Sequence, residues 1–331
     1  MITSAIGRIF LDAYNEEYGT SYDARTFFLE QFYPLFFDHN KYMMTAGNSP
    51  LENPKISWDD MIKGKKNYES EFQRKERYEK LLKKIDDSNP DASIARGYPS
   101  LDICATTSGQ VTDLALPIYK EDIFYSWIGD ALGVGVQGGF SILFSNRAIL
   151  VDIFKGWKVY RQCLNQNSML KGNQINTWNG QWLSHFYDDR LYNQGNPLAG
   201  FNPYVQNKDD IMSIDTQIWT KVLIGISKKY RNAQIMGSVY SIGQTNTTIG
   251  FIPFDLSGIR KPIHLYKKIF GDINSRNAES LWGTEYGFKT VCSAGVIGIK
   301  AMEPKGLKAY IENKKKPKAP KDEPVGGINL S

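Results

Sequence analysis

The residues best placed by type to do chemistry are carboxylates near a lysine. Asp102 and Asp113 flank a hydroxyl-rich stretch, and Glu303-Pro304-Lys305 follows an apolar run late in the chain. Two carboxylates holding Mg²⁺, with a lysine orienting the attacking water, would make a metal-dependent nuclease. Pro304 counts against that pattern, because proline cannot donate to a sheet ladder, and the gap back to Asp113 is very long. His39 sits in Asp38-His39-Asn40-Lys41 without a second histidine or carboxylate at ligand spacing. Cys104, Cys163 and Cys292 lie far apart with no C-x-x-C pair, and the three histidines are equally scattered, which argues against a zinc centre. No Gly-x-Ser-x-Gly elbow marks a nucleophile. No catalytic set, metal or cofactor is therefore expected, and the nuclease stands as an alternative.

Gly133, Gly135 and Gly138 have the spacing of a dinucleotide fingerprint. That fingerprint must follow a strand and open a helix, whereas here the apolar, strand-like run 140–144 comes after the glycines. A P-loop also fails, since no lysine follows until Lys155.

Residue types suited to binding are clearer. Asn173, Gln174, Trp178, Asn179 and Trp182 combine amides that pair with base edges or backbone and indoles that stack on bases. Asn179-Gly180 is equally a hairpin-turn signal, so a turn flanked by buried tryptophans is the plain alternative. Gln244 and Asn246 form a second polar cluster with neighbouring threonines in an expected hairpin turn. Lys155, Lys158 and Arg161 would offer cations to phosphate.

The elements that must carry these residues follow from periodicity. Ile149, Leu150, Ile153, Phe154, Trp157, Tyr160 and Leu164 recur at helical steps, predicting a helix over 147–165 capped by Ser145 or Asn146. Lys155, Lys158 and Arg161 would lie on its solvated face. At the start, a helical hairpin is expected, with a stop at Gly19, a capping box from Thr20 to Asp23, and an end or kink at Pro34. A single, mostly solvated charged helix is predicted over 58–87, a buried helix over 214–230, and paired strands over 235–254. The Lys/Pro-rich stretch from Lys305 onward has too little apolar content to order itself.

The chain has 331 residues, 41% hydrophobic and 23% charged, with a net charge of +5. That suits a globular protein and permits a polyanionic partner without requiring one. No uninterrupted apolar run of about 18 residues suggests a membrane span. The opening residues lead directly into an amphipathic pattern, not an apolar signal region. The expected fold is α+β, divided into a helical N-terminal region (1–56), a charged helix and linker (57–97), a main α+β domain (98–303) and a flexible tail (304–331). The leading functional expectation is a non-catalytic, cytoplasmic nucleic-acid-binding protein, a subunit of a larger assembly with protein partners and no membrane contact. A structural or protein-interaction subunit without nucleic-acid contact is the second alternative.

Overall fold

The computed structural model describes residues 1–47, 49–52, 58–88, 93–98, 119–230, 234–241 and 247–255. The described part is a mixed α+β structure in which helices dominate and the sheets are small and antiparallel. Its buried residues form one continuous cluster reaching from Ile6 to Val239.

The chain opens with α1 (Ile2–Tyr18), which stops where Gly19 takes the left-handed conformation with φ 63 and ψ 36. Glycine reaches that conformation without a Cβ penalty, which is why the expected stop is also the observed one. Asp23 then caps α2 (Ala24–Phe27), accepting from the Thr26 amide at 2.7 Å. The expected Thr20–Asp23 capping box is thus replaced by Asp23 acting alone. The helix continues through a π-helical segment (Phe28–Phe32) into α3 (Tyr33–Phe36), which contains Pro34. Proline gives no amide to the residue four earlier and its ring crowds that carbonyl. The wider π turn ahead of Pro34 accommodates this misfit, so the chain stays helical through Phe36.

The charged segment is not one long helix. It forms α4 (Trp58–Ile62) and α5 (Glu71–Asp87), separated at Gly64, where φ is 71. Ser70 and Gln73 build a reciprocal capping box that starts α5 afresh. Only Leu81 and Ile85 of α5 are buried, so it is the mostly solvated helix that its composition implies.

Next, α6 (Lys120–Ala131) lies against α1 at very short range. A Cβ built on Gly129 would stand 1.8 Å from the Thr3 carbonyl oxygen, and one on Gly7 would stand 2.0 Å from that of Tyr125. Two glycines at the crossing let the backbones touch.

The glycine-rich run then forms a hairpin, with β1 (Val134–Val136) and β2 (Phe140–Phe144) paired Val134 to Ile142 and Val136 to Phe140. Gly138 and Gly139, with φ 96 and 76, make the turn. All five residues of β2 are buried.

From there α7 (Arg147–Gln166), α8 (Ile175–Phe186) and α9 (Trp219–Lys229) supply the other helices of the described core. Asn146 caps α7 by accepting from the Ile149 amide. Between α8 and α9 lies a small ribbon of β3 (Tyr204–Gln206) and β4 (Met212–Ile214). The expected paired strands are β5 (Gln234–Ser241) and β6 (Thr247–Asp255), completing a sheet of order β1-β2-β5-β6. Among the described residues, no helix is long and apolar enough to cross a membrane.

Candidate functional site: a groove on a buried carboxylate

Helix α7 is the element that positions the site. Its apolar stripe buries Ile149, Ile153, Trp157 and Tyr160 completely. Within that stripe stands Asp152, only 2% exposed. A carboxylate removed from water is costly unless charge and hydrogen bonds compensate it, and four groups do. Lys155, one turn on, donates to Oδ1 at 3.0 Å. Lys229, from the last turn of α9, donates to Oδ2 at 2.7 Å. The Tyr187 and Tyr230 hydroxyls reach Oδ2 at 2.9 and 3.5 Å. Asp152 therefore ties α7 to α9 and to the end of α8.

These surroundings shift the titrating groups. Burial, then the Asp152 charge, pushes the Tyr230 phenol up to about 12, and the Tyr187 phenol is raised for the same reasons. Burial by itself would lower the Lys155 ammonium, but the Asp152 bond and charge outweigh it and hold it above its ordinary value. Both tyrosines stay neutral donors, and Lys155 stays a cation.

The cluster opens onto a groove of about 660 Å³ between α1 and α7. Ala13, Ala148 and Val151 line it with small apolar surface, and Glu16, Glu17, Arg147, Lys155 and Lys229 supply charge. Glu16 and Arg147 pair across its far end at 2.6 Å.

The sequence-selected residues part company here. Lys155 and Lys158 are exposed on α7, as expected. Arg161 is not. It is 6% exposed, and its guanidinium donates to the carbonyls of Leu35, Lys41 and Phe36 at 2.8, 2.9 and 3.3 Å. At 100° per residue, two steps of three place Arg161 about 120° around the helix from Lys155 and only about 20° from Phe154. It belongs beside the apolar stripe, not on the solvated face.

Trp178 and Trp182 are also interior, at 0% and 1% exposure. They sit one turn apart on α8 and donate to the Gly156 and Asp152 carbonyls of α7 at 3.0 and 2.8 Å. With both ring faces packed in protein, neither has a surface for a base. Asn179, fully buried, donates to the Ala131 and Gly133 carbonyls. Its dipeptide with Gly180 is helix, not a turn: a Cβ on Gly180 would meet the Gly135 oxygen at 2.5 Å. Gln174 accepts from the Ile214 amide, and Asn173, at φ 61, faces the Met44 carbonyl and the Trp58 indole. The amides of this segment thus satisfy the protein's own backbone. Gln244 and Asn246 lie outside the described residues.

The nuclease residues Asp102, Asp113, Glu303 and Lys305 likewise fall outside them, as do Cys104 and Cys292. Cys163 is a buried thiol whose pKa is raised by burial. His39 is half-buried, and burial followed by the nearby Arg161 charge lowers its pKa to about 4, making it neutral at pH 7. Among the described residues, no group of three or more His, Cys, Asp or Glu side chains is arranged to hold a metal ion.

Asp152 and Lys229 are not residues that motif spacing selects. Their signal is subtler: a lone carboxylate inside the apolar run 149–154, with a Lys-Lys-Tyr at the end of α9. No protein-family model matches this chain, and no curated protein or solved structure is significantly similar to it.

Proposed function

We propose that this chain is a non-catalytic nucleic-acid-binding protein of the cytoplasm, acting as a subunit of a larger nucleoprotein assembly. One observation carries the reading, and it concerns where the charge lies. Residues 256–331 hold 14 Lys and Arg against 7 Asp and Glu, whereas residues 1–255 hold 26 against 28. The positive surplus of the chain is therefore concentrated in its last quarter, ahead of and within the Lys/Pro-rich stretch. A local surplus of this kind draws a polyanion by releasing its condensed counterions, with no need of base readout. Lys158, exposed on α7, is a further cation open to solvent. The buried indoles of α8 support packing and lend the reading nothing.

The test is a salt titration of the full chain against single- and double-stranded DNA and RNA. Replacing Lys314, Lys315, Lys316 and Lys318 by Gln should flatten the log–log dependence of affinity on salt. The expected change is about 0.7–0.9 for each phosphate that is no longer neutralised. Trp178 and Trp182 variants that remain folded should leave that slope unchanged. If the wild-type chain binds none of the four polymers at micromolar strength in low salt, direct nucleic-acid binding is wrong. The structural-subunit reading then takes its place.

A further inference from the structure

We propose that Lys229 is a methylation site, carrying two N-methyl groups inside an aromatic cage that Phe186, Tyr187 and Tyr230 build on the Asp152 carboxylate. This goes beyond polymer binding and does not depend on it.

Three ring faces surround one nitrogen. The Lys229 ammonium stands over Tyr187 and Tyr230 at 5.5 Å from each centroid, and over Phe186 at 5.6 Å. The walls meet at steep angles, 65° between Phe186 and Tyr187 and 89° between Tyr187 and Tyr230. Asp152, its side chain 3% exposed, closes the floor at 2.7 Å. Rings over a cation, with a carboxylate beneath, suit an ammonium whose charge is spread over methyl groups.

The spacing favours a methylated ammonium over a bare one. An N–C bond is about 1.5 Å long, so a methyl carbon directed at a ring would stand about 4 Å from its centroid. That is the separation of good carbon–carbon contact, whereas the bare nitrogen leaves a methyl-sized gap before each ring. A lysine ammonium has three N–H positions, and one is directed at Asp152. Two remain, so dimethylation packs methyl carbons against the walls and keeps both the charge and the Asp152 bond. Lys155, the second cation on this carboxylate, has a single ring, Phe186 at 5.9 Å, and so lacks the cage. The Lys229 side chain is 46% exposed and lines the groove, which leaves its nitrogen open to a methylating enzyme. In each transfer the neutral amine takes a methyl group from a sulfonium donor. The N–C bond forms as the C–S bond breaks, the donor leaves as a thioether, and the released proton goes to solvent.

Peptide mass spectrometry of the full chain purified from its natural host tests the assignment. Two methyl groups should sit on Lys229, with Lys155 and the neighbouring Lys228 unmodified. Lys229 found bare in every peptide would overturn the assignment, and so would methyl groups spread evenly over the three lysines. The cage is tested separately on full-length recombinant chain, dimethylated with isotope-labelled formaldehyde and a borane reductant and read by carbon NMR. Ring currents should move the Lys229 methyl resonances upfield of the other dimethyl-lysine signals. Lys229→Arg should delete those resonances, and Tyr230→Leu, which removes one wall, should return them part of the way. A Lys229 signal that coincides with those of exposed lysines would show that the cage rejects the methyl groups. A thermal melt establishes that each variant is folded, and Lys229→Arg, which keeps the charge, decides the matter should Tyr230→Leu not be. None of these results alters the polymer salt slope, so the two readings fail separately.

Discussion

Two pairs of cations lie along helix α7, and they have opposite fates. Toward the C-terminus, Arg161 and Lys41 are sealed in, 6% and 7% exposed, and bonded to carbonyl oxygens. Arg161 holds the last carbonyls of α3 and that of Lys41, and the Lys41 ammonium holds those of Asn167 and Ser168 at the end of α7. Toward the middle, Lys155 and Lys229 meet a carboxylate and still reach water. Helix C-termini leave carbonyls unpaired and electronegative, so a cation placed there is used up in closing the backbone. A cation placed on a buried carboxylate keeps donors to spare. The same kind of charge is thus sealed scaffold in one setting and a partly exposed cation with donors to spare in the other, and the acceptor decides which.

The largest expected effect lies in the sealed pair. Arg161→Met keeps length and apolar bulk but takes the guanidinium from the Leu35 and Lys41 carbonyls, while Phe36 keeps the Met43 amide, and should cost roughly 3 kcal/mol. Arg161→Lys, retaining a charge and part of the bonding, should cost distinctly less. Urea unfolding monitored by tryptophan fluorescence measures both. If Arg161→Met unfolds at the wild-type midpoint, the carbonyl cage does not stabilise the fold and the contrast between the pairs collapses.

Sequence made one half of this contrast legible and hid the other. The α7 stripe, its Asn146 cap, the Gly19 stop and the β5–β6 pairing all follow from local chemistry, which is written in neighbouring residues. Arg161 reads as solvent-facing because steps of three look like one face, yet each step slips about 60° around a 3.6-residue helix. Its partners, Leu35, Phe36 and Lys41, are more than a hundred positions away. Asn179-Gly180 misleads for a related reason: the glycine is there for close approach to Gly135, and the amide serves carbonyls before β1. The charged segment hides its break as well, since opposite charges stand at i, i+4 spacing on both sides of Gly64, as in Asp59 with Lys63 and Glu76 with Lys80. Tertiary partners, which no local window contains, decide the first two, whereas Gly64 and the Ser70–Gln73 capping box, both local, decide the third.

A smaller effect is expected at the open pair. Asp152→Asn leaves Lys155 and Lys229 facing each other without their shared anion, but both can extend toward water. The lasting loss is the carboxylate that accepts from the buried Tyr187 hydroxyl, so the cost should be about 1–2 kcal/mol. A loss as large as that of Arg161→Met would mean that Lys155 and Lys229 are as much scaffold as Arg161. Lys155→Gln, which leaves Lys229 on Asp152, should cost less than about 1 kcal/mol by the same measurement.

A pH slope reports on the sealed pair from outside. His39 has an ordinary pKa near 6.5 and a folded value near 4, lowered first by burial and then by the Arg161 charge. Between those values the unfolded chain binds a proton that the folded chain refuses, so stability falls as pH drops from about 6.5 to about 4. Below about 4 both states are protonated and this contribution is constant. His39→Gln removes the proton site and should flatten that part of the pH–stability curve relative to wild type, while carboxylate effects cancel in the comparison. Arg161→Met, if enough fold survives, should move the lower edge of the window upward by removing the larger of the two charges that lower it. Unfolding midpoints measured at half-unit steps from pH 7 to pH 4 read both shifts. Parallel curves for wild type and His39→Gln would place His39 in water, away from the Arg161 charge.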